Sequence, residues 1–310
     1  MNRYFVVPVS IFFIIIILLV LYFQFIEDEW KYFYKAEEKI IPEYCDDSST
    51  DFQKTIIKID QDNNLKRSFK DKNDREKYSI HLIYLVPCDI VSRDFDINGT
   101  IFSLINNINE WFYKKSNKQK IIFDYDSNLP DITFIRVNKT ISWFNEYTSE
   151  QNNKKDTASR IEKIILSNKN IFYNFVNKKF IIFFEGWEKR KSLFNTTCGR
   201  ARFDGKVSIF YTNNKYLKTG TCVEITEKIK DNLGNAEQTI LHELIHLLGF
   251  PSECALNKDS IDSFHVNDSS GDIMNKFSGG KYLDYNNNDY YNHNNTNCDD
   301  LMNSNYLFTN

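Results

Sequence analysis

The residues most able to do chemistry lie in one short stretch, Thr239-Ile240-Leu241-His242-Glu243-Leu244-Ile245-His246-Leu247-Leu248-Gly249-Phe250. In an α-helix, residues four apart sit one turn above each other, so the imidazoles of His242 and His246 can converge on one metal ion. Nitrogen ligands at that spacing favour zinc. Glu243 follows the first imidazole and is displaced around the helix, where its carboxylate can act on a water as general base without occupying the metal. Zinc polarises the water and lowers its pKa. Glu243 accepts a proton as the water attacks a peptide carbonyl, and the same group later protonates the leaving amine. The expected activity is therefore zinc-dependent cleavage of protein or peptide substrates. The competing reading is a buried helix whose histidines are merely satisfied by hydrogen bonds. The chain has only five histidines, and two of them bracket a glutamate at the required spacing among Leu and Ile. Burying that set without a shared purpose would be costly.

A catalytic zinc takes three protein ligands and keeps a fourth position for water. The candidates for the third are His265, His293, Glu253 and Asp262. Gly249 ends the helix and Pro251 prevents its continuation, which releases a loop that can return to the metal, so His265 is the preferred ligand. His293 lies in an Asn- and Tyr-rich stretch and reads as surface. His81 falls inside a strand and reads as structural.

The stretch resembles the metzincin clan of zinc peptidases on His242, Glu243, His246 and Gly249, a delayed His265, and Asp272-Ile273-Met274-Asn275, which looks like the Met-turn beneath the metal. Ser252 occupies the position where most of the clan carries its third histidine. The delay is similar to that of leishmanolysin-type members, in spacing only. The resemblance implies a zincin-like sheet over helices, a Met-turn at Met274, and substrate held extended along an edge strand, for which Val207–Tyr211 is the expectation. A zincin with an acidic third ligand and a catalytically silent binding protein on the same scaffold are the alternatives.

The elements that must position these residues are read from periodicity. Strands are expected at 80–86, 120–125, 132–137, 179–184 and 207–211, and amphipathic helices at 101–112, 156–175 and 237–248. Strands alternating with helices give an α/β or α+β class, a mixed twisted sheet packed on helices. Beyond Gly249 periodicity disappears, and an irregular C-terminal subdomain needs pinning. All six cysteines lie beyond residue 44, and pairing neighbours gives Cys45–Cys88, Cys198–Cys222 and Cys254–Cys298. A Cys45 thiolate capping the zinc is the sharper alternative for that residue.

No charged side chain appears from Tyr4 to Ile26, long enough to span a bilayer core of about 30 Å as a helix. Residues 1–26 are therefore expected as a signal-anchor, 27–78 as a charged stalk or pro-segment, and 79–310 as the catalytic domain. This places the protein as a single-pass membrane protein with its catalytic domain extracytoplasmic, or as a secreted one if the segment is a cleaved signal. With 39 basic and 42 acidic side chains, the net charge of −3 leaves no basic excess to recruit nucleic acid.

Overall fold

The structure, a computed structural model, describes residues 41–72, 77–146, 156–173, 175–188, 197–214, 221–223, 232–277 and 279–309. The chain divides into two units, Met1–Pro42 and Glu43–Asn310. Of the first, only Ile41 and Pro42 are described.

A mixed six-stranded sheet organises this unit, in the order β1 (Ile56–Ile57), β6 (Ile132–Val137), β2 (Ser79–Pro87), β7 (Lys178–Phe184), β9 (Val207–Tyr211) and β8 (Gly199–Ala201). The four inner strands run parallel, and β1 and β8 add antiparallel at the two edges. Side chains alternate between the two faces of a strand. Ile80, Leu82, Tyr84 and Val86 of β2 therefore join one core with α2 (Thr100–Lys115) and α5 (Asn235–Leu247). Ile83 and Leu85 join a second core with α3 (Ile141–Asn145) and α4 (Thr157–Ser167) on the opposite face. Inner parallel strands covered by helices on both sides read as continuous apolar runs, and β2 and β7 are buried at every position. The α/β expectation holds.

Elements with strong periodicity fall where expected; three details differ. The helix expected over 156–175 stops at Ser167. There the amide of Asn168 donates to the carbonyls of Ile164 and Phe52, and Phe172 packs into the second core beyond the helix. The run 120–125 resolves into β3 (Gln119–Ile121), which pairs with the tail strand β10 (Leu307–Thr309), and the start of a hairpin formed by β4 (Tyr125–Asp126) and β5 (Leu129–Pro130). From Glu43 onward, the charged segment read as stalk belongs to the same unit as the sheet. Its charges are used internally: Asp62, in the short α1 (Asp60–Asn63), takes a two-pronged contact from Arg136 at 2.5 and 3.1 Å. The three cysteine pairs are those expected from neighbour pairing, so Cys45 is bonded to Cys88.

The single-pass membrane placement is corrected. Among the described residues no helix is long and apolar enough to cross a membrane. The segment 1–26 that prompted the expectation lies outside them.

Candidate metal centre

Helix α5 lies on β8 and β9 through Ala236, Ile240, Leu241, Leu244, Ile245 and Leu247, all buried in the first core. That stripe fixes the helix's rotation about its axis and turns His242 and His246 toward His265. The helix ends because Gly249 adopts φ 92°, a left-handed conformation that only glycine reaches without strain. The sharp turn carries the Phe250 carbonyl back under the helix, where it accepts from Nδ1 of His246 at 3.0 Å.

The chain returns to this helix through the 252–275 loops. Asp259 accepts the backbone N–H groups of Ile261 and Asp262, His265 N–H donates to the Asp262 carbonyl, and Val266 bridges to both Lys258 and Asn275. These bonds set His265 over α5. The following turn holds Met274, fully buried, through a hydrogen bond from its N–H to Asp272 Oδ1. It also places the Ile273 carbonyl 2.7 Å from Nδ1 of His242.

The three imidazoles converge through their Nε2 atoms. Nε2 of His265 is 3.2 Å from Nε2 of His242 and 3.4 Å from Nε2 of His246. Because Nδ1 of His242 and of His246 each faces a carbonyl oxygen, each carries its proton on Nδ1, and both Nε2 atoms present bare lone pairs. Burial pushes the pKa of His242 down to about 4 and that of His246 well below the usual histidine value, so both rings are neutral near pH 7. Lone pairs aimed at one another repel; a shared cation reverses the sign. Zinc–nitrogen bonds of about 2.0–2.1 Å at tetrahedral angles put ligand nitrogens about 3.4 Å apart, which fits both spacings. The residues present fit a zinc ion.

A second group, Asp71, His81 and Asp124, is also close enough to share a cation. Its positive charge is already supplied: the fully buried ammonium of Lys178 lies 2.7 Å from Asp71 Oδ2 and 2.8 Å from Asp124 Oδ2. Burial alone would raise the Asp124 carboxyl, but the hydrogen bond to His81 and the attraction of His81 and Lys178 hold it down to about 2. His81 completes its bonding with Thr133 at 2.9 Å, in keeping with a structural role.

The other candidate ligands lie elsewhere. Ring nitrogen Nε2 of His293 faces the Asp299 carbonyl, and Glu253 is exposed and paired with Lys258. Asp262 sits behind His265, its Oδ1 3.2 Å from Nδ1 and off-line for a hydrogen bond. The expected edge strand is corrected as well: Val207–Tyr211 is interior, and the short β8 outside it forms the edge beside α5. Three groups went unpredicted: the carbonyls of Ile273 and Phe250 beside the imidazoles, which as backbone carry no sequence signal, and Gly199, which lies against Glu243.

No family model matches the sequence, and no curated protein matches it. Among solved structures the chain is similar to a catalytically inactive OgpA from Akkermansia muciniphila in complex with an O-glycopeptide (glycodrosocin) substrate, at 10% identity and a TM-score of 0.34. The likeness covers 61% of this chain and 50% of that one, so this chain spans about half the length of the protein it matches, and a similarity this remote carries no functional information.

Proposed function

We propose that the protein is a zinc-dependent peptidase in which His242, His246 and His265 hold the metal and Glu243 is the general base. The observation that carries this reading is the convergence of three Nε2 atoms at 3.2 and 3.4 Å, with Nδ1 of both helix histidines committed to carbonyls. Bound zinc would supply Lewis acidity toward a water and a peptide carbonyl. The chain's residues supply the rest. His242 and His246 are held neutral by burial, so neither must shed a proton before ligating near pH 7. Glu243, one position beyond the first ligand, takes the proton released as water attacks and returns it to the departing amine. The buried Met274 turn supports the floor of the site through the Ile273 carbonyl.

The test is zinc content and cleavage of a fluorogenic casein by the wild type, His265→Ala, His293→Ala and Glu243→Gln. The expected result is one zinc per wild-type chain and per His293→Ala chain, loss of zinc in His265→Ala, and zinc without cleavage in Glu243→Gln. A folded wild type that binds no zinc would defeat the proposal. Zinc without cleavage in the wild type would favour a silent binding protein on the same scaffold.

A further inference from the structure

Edge strand β8 and helix α5 touch at one point where no side chain would fit. A Cβ added to Gly199 would lie 2.5 Å from Cγ of Glu243, 2.9 Å from its Oε1 and 2.6 Å from Cγ2 of Thr239. Contacts this short do not occur between real atoms, so the strand backbone is pressed against the stem and carboxylate of the glutamate. Nothing about the φ of Gly199 calls for glycine, since it is a paired strand residue opposite Phe210. The requirement is for space alone.

We propose that Gly199 is a positioning residue whose missing side chain lets the edge strand form the wall that sets the Glu243 carboxylate. This rests on the peptidase reading above. The strand cannot easily retreat to make room. The neighbouring Cys198 is tied by its disulfide to Cys222, its carbonyl accepts from Tyr211 N at 2.8 Å, and the Gly199 carbonyl accepts from Thr197 Oγ1 at 2.7 Å. On the other side, α5 is fixed by its buried apolar stripe. A methyl group inserted between two fixed backbones moves the most flexible thing between them, the Glu243 side chain. Its backbone stays, and none of the three imidazoles is among the nearest atoms that the added Cβ would meet.

The consequence is a separation of effects. Displacing a general base by about 1 Å costs about 10²-fold in turnover, whereas metal binding and substrate affinity depend on groups that do not move. The experiment compares the full-length wild type, Gly199→Ala, Thr239→Ala and Gly199→Ala/Thr239→Ala by zinc content, circular dichroism, and kcat and KM on fluorogenic casein. The double variant removes the Thr239 collision and leaves only the one with Glu243. The expected result is full zinc occupancy and unchanged KM in every variant. Turnover should fall about 10²-fold in both variants carrying Gly199→Ala and stay near wild type in Thr239→Ala. Full turnover in a folded Gly199→Ala or double variant would overturn the inference. So would loss of fold in both, because the contact would then serve structure and not the base. A wild type without zinc or cleavage would sink the peptidase reading itself, a result distinguishable from either.

Discussion

At the scale of single residues, the centre depends on groups that fix which nitrogen each imidazole presents. Carbonyls do this for His242 and His246, whereas His265 has the Asp262 carboxylate 3.2 Å from Nδ1, and Asp262 in turn lies 3.8 Å from Lys276 Nζ. Nδ1 and the carboxylate are off-line for a hydrogen bond, so Asp262 acts through its negative charge, which attracts a cation held on the far side of the ring; a carboxylate that does hydrogen-bond a ligating imidazole typically adds about 10–100-fold in metal affinity. Acting by charge alone, Asp262 should contribute at the low end of that range, and Asp262→Asn is expected to weaken zinc binding by up to about 10-fold, measured by competition with a chromophoric chelator. Affinity equal to wild type would show that His265 is oriented by its loop alone. The same residue marks how far the sequence could be read. Helical spacing singled out His242, Glu243 and His246 as candidates because four-residue separation on one helix is a local property. Asp262 could be recognised only as a possible ligand, since whether it faces the three converging nitrogens or the back of His265 depends on a loop built from the hydrogen bonds of Asp259 and Val266.

At the scale of elements, α5 couples its own stability to pH. His242 and His246 sit neutral on a helix packed against the sheet, and burial lowers the pKa of His242 to about 4. An unfolded chain would protonate the same ring near its ordinary value of 6.5. A folded-state pKa below the unfolded one means that the stability is present above pH 6.5 and is lost as pH falls from there toward 4, where the unfolded state binds the extra proton. For His242 alone the loss is about 3 kcal/mol across that window. Urea unfolding of the metal-free protein at pH 7 and pH 4.5, compared with His242→Gln, isolates this contribution from the carboxylates that titrate over the same range. The substitution should reduce the pH-dependent loss, and equal losses in both proteins would refute the coupling. Elements such as α5, β2 and β7 were legible because their burial is nearly continuous and stamps a period or an apolar run on the sequence. The edge strand β8 was not legible. Gly199-Arg200-Ala201 has no alternation to read, and only pairing with β9 makes it a strand.

At the scale of the whole molecule, one buried ionic cluster joins segments far apart in sequence. Lys178 opens β7, His81 belongs to β2, Asp124 follows β3, Thr133 lies in β6, and Asp71 comes from the segment whose charges suggested a solvated stalk. Asp71 also accepts the backbone N–H of Tyr173, so the same carboxylate helps to hold the chain entering β7. Charge composition misled here because a run of charged residues looks the same whether its charges meet water or a buried partner. The cluster gives a sharp expectation for Lys178→Met, which keeps most of the side-chain volume but removes the only ammonium lying between Asp71 and Asp124 among the described contacts. Replacing a buried pair wholesale by apolar groups is often neutral, whereas removing one partner strands the charge of the other and costs about 3–5 kcal/mol. Loosening should begin around Asp71, because the rest of the N-terminal segment keeps its own links to the sheet through β1 pairing with β6, Arg136–Asp62 and Cys45–Cys88. Urea unfolding should therefore show a loss of about 3–5 kcal/mol, with early proteolysis near residue 71. Zinc affinity of the folded protein should remain unchanged, because no member of the cluster touches α5 or His265 in any described contact. A loss below about 1 kcal/mol would mean that the two carboxylates tolerate the missing ammonium, and the cluster would then be a consequence of the fold, not one of its supports.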